Sequence, residues 1–283
     1  MVQKIIILTL ILINIGFSIG LKALVIPQSA IVLATSNSGI GDALSADINP
    51  ASVSTIKPYI GFSRNIWYGD LEGQKFSMLW EESNIFSQLS FESLKIDDIE
   101  LRNEVASEAP LSFFGVYWYA FDISRSIDME NFKLGYKVKF NLSKLYTESM
   151  HGITLDFGLQ KQINDNFSLG FVLKNFGKEI DKNLTAKTPE LLGLGISYSF
   201  SNFPLKILSD VVSQDSRTLT KLSMQTDFEF VNLILGSTRG DKYSDIAFGL
   251  NIKIKQWSLI YGNLKHNNSS LGNPVSIEIR TYF

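Results

Sequence analysis

The chain has 283 residues, of which 45% are hydrophobic and 19% are charged, and its formal net charge is −2. A charged fraction of about 25% is usual for a soluble domain, so this chain is poor in charge. A net charge so close to zero gives no basic surface for nucleic acid, and we predict no nucleic-acid partner. The absence of cysteine excludes disulfides, thiolate metal sites and the acylated cysteine of a bacterial lipoprotein.

Residues 1–20 have the pattern of a secretory signal peptide. Lys4 precedes a short apolar core from Ile5 to Ile13, and small residues follow as far as Gly20. A membrane anchor is the alternative, but a spanning helix needs about 20 apolar residues, more than this core supplies. We predict cleavage after Gly20, with Ala23 as the alternative last residue of the leader, and export of the mature chain.

From residue 58 onward, apolar and polar residues alternate in segments that read as β-strands. In the last segment Ile277 and Ile279 alternate with Glu278 and Arg280, and the chain ends on Phe283. Successive side chains of a strand point to opposite faces, so one face is apolar and the other is polar. Ending on an aromatic residue is typical of the closing strand of a bacterial outer-membrane barrel. The predicted strands cover residues 58–68, 73–82, 85–93, 111–122, 131–143, 149–161, 165–175, 190–201, 203–212, 218–229, 230–238, 243–255, 256–265 and 274–283.

The connections between the predicted strands are long on one side of the barrel and short on the other. Long connections at 94–110, 176–189 and 266–273 follow odd-numbered strands, and tight turns follow strands six, eight and twelve. Only the connection at 123–130 is longer than expected for an inner turn. Long loops outside and short turns inside are the rule for outer-membrane barrels. We therefore predict an all-β fold over residues 58–283, a transmembrane antiparallel β-barrel of about 14 strands (12 being the alternative) in the cell outer membrane, and prefer it to a soluble sandwich or propeller.

The polar faces of the strands are predicted to line the lumen. Lys137 and Lys139 on the fifth strand could face Asp156 on the sixth, and these three are the candidate lumen-facing residues. The two histidines, His151 at the start of a strand and His266 in an outer loop, are expected to be solvated. No nucleotide-binding, zinc or calcium motif occurs, so we predict no catalytic residues, no metal, no cofactor and no enzymatic activity.

Two short motifs resemble those of the PorV/PorQ group of FadL-like outer-membrane barrels. The first follows the predicted signal peptide in a segment rich in Ala, Ser, Gly and Asn, and the second lies at the end of a strand. Their residues are Asn49, Pro50 and Ala51, and Lys174, Asn175 and Gly177. The resemblance implies a fourteen-stranded barrel with an N-terminal plug, residues 21–57, lodged in its mouth. An ordinary capped loop is the alternative for this segment.

The resemblance also implies a function. Members of the group serve in type IX-like protein secretion or surface attachment, with secretion proteins or secreted clients as partners beside outer-membrane lipid. The alternative is a FadL-like passive transporter of small hydrophobic molecules, which leave such barrels through a lateral opening. A membrane-embedded lipase that uses His151 or His266 is a third hypothesis. No oligomeric state is predicted.

Overall fold

The structure, a computed structural model, describes residues 23–102, 108–130, 132–180, 185–241, 243–267 and 272–283, and the side chains of residues 179–187 are not described. The predicted signal peptide, residues 1–20, lies outside these ranges. No helix in the described part of the chain is long and apolar enough to cross a membrane.

Fourteen antiparallel strands of the described chain close into one ring. The chain order is kept around the ring, β1 pairs with β15, and the short β8 (Thr185–Lys187) pairs only with β7. The predicted fold class is therefore confirmed. The ring strands are β1 (Tyr59–Ile66), β2 (Glu72–Glu82), β3 (Ile85–Leu101), β4 (Ser112–Met129), β5 (Phe132–Leu145), β6 (Glu148–Asn164), β7 (Phe167–Ile180), β9 (Leu191–Ser199), β10 (Leu205–Gln214), β11 (Arg217–Asp227), β12 (Val231–Gly240), β13 (Tyr243–Ile254), β14 (Trp257–His266) and β15 (Val275–Tyr282).

The two faces of the barrel wall have opposite polarity, with the apolar face outward. In β15, Ile277 and Ile279 are about half exposed, whereas Ser276 and Glu278 are buried. The same alternation runs through β1, where Phe62 is exposed. A soluble barrel would bury its apolar face, so this distribution suits a wall that faces lipid outside and a filled polar lumen inside.

Two strands are much longer than predicted. β3 has 17 residues and β4 has 18, so Asp97 and Glu100, predicted in a loop, lie in β3. The long connection predicted at 123–130 is wrong, because β4 continues to Met129 and a tight turn follows. The charged residues near these strand ends break the apolar alternation, although the backbone ladder continues. We call the end with the long connections the upper end, and the end with the short turns the lower end.

Residues 23–57, which we call the plug, lie inside the barrel. The helix α1 (Ala30–Ala34) begins after Ser29, whose Oγ accepts a hydrogen bond from the Val32 amide at 3.4 Å. A 3-10 helix, Pro50–Thr55, begins after Asn49, and Asn49 Oδ1 accepts from the Ala51 amide at 3.0 Å. Side-chain capping of short helices satisfies backbone groups that would otherwise be buried without partners.

Glycines in the wall make room for the 3-10 helix. A Cβ atom added to Gly158 would lie less than 3.0 Å from Asn49 Oδ1 and from the Ala51 amide nitrogen, and one added to Gly135 would collide with Pro50 and Ala51. The small residues on these two strands therefore allow the backbone of the plug to touch the barrel wall.

We expect Gly158→Ala to destabilise the barrel by about 1–3 kcal/mol, the usual cost of overpacking, because the added methyl group displaces the 3-10 helix. The measurement is the temperature at which the folded, fast-migrating form is lost in detergent gels.

The matched control is Gly240→Ala, whose added methyl group meets the flexible end of Leu219 near the upper end of β12. Equal losses of stability in the two variants would contradict close docking of the plug at Gly158.

Candidate functional site

A cluster of buried charges joins the plug to the wall. Lys75 Nζ lies 2.5 Å from Asp47 Oδ2 and 2.8 Å from Glu92 Oε1. Lys137 Nζ lies 2.7 Å from Asp47 Oδ1 and 3.8 Å from Asp122 Oδ1. Since each lysine lies between carboxylates of different chain segments, these contacts connect the segments. Together with Lys139, whose Nζ lies 2.8 Å from Glu92 Oε2, these residues form what we call the ion cluster.

The wall members of the ion cluster come from the inward faces of β2, β3, β4 and β5. Strand register places Lys75 opposite Glu92 and Asp122 opposite Lys139, so neighbouring strands supply opposite charges. Buried charges are costly unless they are paired, and here three lysines balance three carboxylates. The balance depends on Asp47, since it is the member that the plug contributes.

The ionisation of Asp47 is strongly favoured. Burial by itself raises the pKa of the Asp47 carboxyl, but the ammonium groups of Lys137, Lys75 and Lys139 outweigh it and hold this pKa well below its ordinary value. Asp47 is therefore a stable anion near neutral pH, and its two carboxylate oxygens bind lysines of two different strands.

A small cavity lies between the ion cluster and the first residues of the plug. Its volume is about 40 Å³, which holds one or two water molecules. Plug residues such as Leu24 and Ile26 line one side, and charged residues such as Glu92, Lys137 and Lys139 line the other. The lumen in this state has no space here for a solute with an aromatic ring.

A β-bulge interrupts the wall beside this cavity. Lys174 and Asn175 of β7 together face Asp156 of β6, because the register shifts between the pairs on either side. The Asn175 amide donates to Asp156 Oδ1 at 2.7 Å, and its side chain donates to the Pro189 carbonyl at 3.0 Å. Above the bulge β7 no longer pairs with β9, so the ladder is interrupted on both edges of β7 at this point.

The structure places the three lumen candidates close together on the inward faces of β5 and β6. Lys137 and Lys139 belong to the ion cluster, and Asp156 lies directly opposite Lys137 in the ladder. The nearest ionic partners of the two lysines are instead Asp47 and Glu92, while Asp156 accepts from the Asn175 backbone.

The first sequence motif lies in the plug, and the second borders the cavity through Lys174 and Asn175. Asn49 Nδ2 donates to the Ile40 carbonyl at 2.9 Å, and Pro50 and Ala51 open the 3-10 helix. Lys174 Nζ donates to the Asp47 carbonyl, and the carbonyl of Gly177 accepts from Thr188 Oγ1 at 3.2 Å. Both motifs thus hold the plug or the bulge in place.

Neither histidine belongs to the ion cluster. His151 is exposed on the outward face of β6. The prediction of a solvated loop was wrong for His266, which ends β14 with its Nε2 3.5 Å from Asp245 Oδ1 and its side chain largely buried. Among the described residues, no group of three or more potential ligands could hold a metal ion.

Sequence reasoning missed Asp47, Lys75, Glu92 and Asp122. The strand alternation could have identified the three wall residues as inward-facing, since each lies on the same strand face as small polar residues such as Ser77 and Ser90. Asp47 carried no such signal, because the plug has no period.

We expect Asp47→Asn to destabilise the barrel by about 3–5 kcal/mol near pH 7, because it leaves Lys75 and Lys137 without their shared carboxylate. The pKa of Asp47 is lowered by folding, so its stabilisation is complete above the ordinary aspartate pKa and is lost as the pH falls through the folded value. The difference in the free energy of unfolding between wild type and variant should therefore shrink only in strong acid. Unfolding in urea across a pH series measures it.

Asp42→Asn is the control for this experiment, since Asp42 is a plug carboxylate that pairs with Lys206 but is partly exposed. Exposed pairs contribute about 0–1 kcal/mol, so this variant should lose little. A similar loss in both variants, or a difference independent of pH, would count against the ion cluster as the attachment of the plug.

Comparison with known proteins identifies the fold. No protein-family model matches the chain, and no curated protein matches it. The Ralstonia pickettii toluene transporter TbuX and the Pseudomonas putida toluene transporter TodX both superpose with TM-scores of 0.70, at 9% and 10% identity, over 90% of this chain and 98% of theirs. A FadL homologue of Pseudomonas aeruginosa superposes with a TM-score of 0.65 at 9% identity, over 91% of this chain and 99% of its own. The chain therefore has the fold of the FadL-type outer-membrane barrels.

Proposed function

We propose that the protein is a passive channel for small hydrophobic molecules in the outer membrane, and that the structure shows its closed state. The observation that carries the proposal is a plugged fourteen-stranded barrel that superposes, over 90% of the chain, on two barrels named as toluene transporters. The plug fills the lumen, so flux through the barrel has to be coupled to displacement of the plug.

An apolar entry supports a hydrophobic solute. At the upper half of the lumen, Ala23 and Leu24 of the plug pack against Leu94, Trp118 and Ala120 of the wall. Such a cluster can separate and receive an apolar solute, because hydrophobic contacts are not directional. The cavity beneath it is too small for that solute until these plug residues move.

The bulge of β7 offers a way out through the wall. Lys174, Asn175 and Leu191 line both the cavity and the point where β7 leaves β9. A bulge disrupts ladder hydrogen bonds locally and turns side chains away from the regular face. We assign the lateral opening of this channel to the bulge.

A part in type IX-like secretion or surface attachment is the second hypothesis. It came from the resemblance of two short motifs, and in the structure Asn49 and Lys174 donate to carbonyl groups of the plug. These contacts hold the plug in place, which a plugged channel needs as much as a secretion component does. A secretion component would copurify with other envelope proteins, whereas the channel would purify without them.

Disulfides between plug and wall test the channel, since the chain has no cysteine of its own. Ser36 Oγ lies 2.8 Å from Thr238 Oγ1, and Ser54 Oγ lies 3.2 Å from Ser126 Oγ. We expect intact cells that carry wild type to take up the hydrophobic dye N-phenylnaphthylamine faster than cells without it. Oxidised Ser36→Cys/Thr238→Cys should take it up more slowly, because the plug is fixed to β12, and reduction should restore the rate.

The single variants Ser36→Cys and Thr238→Cys, treated with the same oxidant, control for effects of the thiols. Ser54→Cys/Ser126→Cys tells whether the lower part of the plug also has to move. Dye uptake no faster than in cells without the protein would contradict the channel itself. Rapid uptake through the fully oxidised double variants would contradict displacement of the plug.

A further inference from the structure

The outward face of β11–β14 changes character at its upper end. Below, the exposed residues are apolar, as at Leu222, Leu235 and Phe248. Above, the outward positions include hydroxyls and cations around the exposed Ile246, and we call these polar residues the basic patch. Its members are Thr220, Ser237, Arg239, Ser244 and Lys265.

The basic patch lies at the upper boundary of the lipid-facing band. Trp257, exposed at the lower end of β14, and Lys265 are eight residues apart on the same outward face. At about 3.3 Å per residue this is about 26 Å along the strand, or about 20 Å along the membrane normal at the usual tilt. The apolar band of such barrels is about 25 Å tall, so the long lysine side chain ends at the headgroups of the upper leaflet.

The charge of the basic patch is not neutralised by the strands around it. The outward positions of the described strands β11–β14 contain no acidic residue, and Asp245 of β13 points inward and is buried. Among the described residues, neither Arg239 nor Lys265 forms an ion pair, whereas Arg64 at the upper end of β1 pairs with Glu72. An unpaired cation at this boundary gains energy from an anion supplied by the membrane.

The geometry favours phosphate. Arg239 lies between Thr220 and Ser244 in the ladder, so two hydroxyl groups flank its guanidinium, a group that binds phosphate through two parallel hydrogen bonds. Lys265 lies opposite Ile246, two strands and one outward step away from Arg239, about 12 Å by standard strand spacings. Two cations at this separation can bind two phosphates of one headgroup.

We propose that the basic patch binds the phosphate groups of an outer-leaflet lipid with a diphosphorylated headgroup. The site lies outside the lumen and depends only on the position of the barrel in the membrane, not on what passes through it. Its occupant would fix one side of the barrel to the upper leaflet.

The test is binding of diphosphoryl lipid A to the detergent-purified protein, followed by native mass spectrometry. We expect Arg239→Gln/Lys265→Gln to bind about 25-fold more weakly than wild type, since each cation near an anionic surface contributes about a fivefold factor. Monophosphoryl lipid A should bind wild type more weakly than the diphosphoryl form, and the double variant should discriminate less between them.

Arg217→Gln is the matched control, because Arg217 is also exposed at the upper end, on β11, but on the strand face that points inward at Lys221. It should bind lipid A like wild type, and all variants should keep heat-modifiable mobility. Unchanged binding by the double variant, or an equal loss in Arg217→Gln, would overturn the proposal and leave a solvated face. Displacement of lipid A by millimolar inorganic phosphate would overturn a lipid site in favour of free phosphate.

Discussion

The structure depends on one constraint, that backbone polar groups facing lipid must be paired within the protein. A sheet satisfies this requirement when its first and last strands pair, as β1 and β15 do here along their whole length. Once the ring is closed, the alternation of each strand sends every second side chain inward. The apolar residues occupy the lipid side, so the lumen receives the polar and charged side chains and needs partners for them. The plug supplies part of those partners.

The ion cluster shows how that need is met. Lys75 and Lys137 come from β2 and β5, and each would be a buried cation with too few carboxylates if the wall were alone. Asp47 completes both pairs with its two oxygens. A buried pair is weak evidence of stability in itself, but loss of one partner is expensive. The cluster therefore makes the position of the plug in the lumen specific.

The sequence predicts the features of this structure that depend on local alternation, and it misses those that do not. The strands were predictable because their alternation is local, and Ile277 and Ile279 face outward as their parity required. The extents of β3 and β4 were not, because Asp97 and Glu100 interrupt an apolar pattern that only the membrane-spanning part of a strand needs. The pairing of Lys137 with Asp47 joins residues 90 positions apart and depends on how deeply an aperiodic segment sits in the lumen.

The plug meets the wall through two kinds of contact, which differ in what is lost when the plug moves. On the side of β12–β14, the backbone of residues 34–36 touches Gly236 and the Ala34 side chain touches Gly249, where even one added carbon would collide. On the side of β2–β7, the plug touches Gly135 and Gly158 in the same close way near the lower end, whereas above them the contacts are ion pairs around Asp47 and a cavity that accommodates water. Close van der Waals packing is lost outright when surfaces part, whereas water can replace partners for polar groups as they separate. Displacement of the plug therefore costs most at the glycine contacts and least around Asp47, close to the bulge at Asn175 that already interrupts the wall.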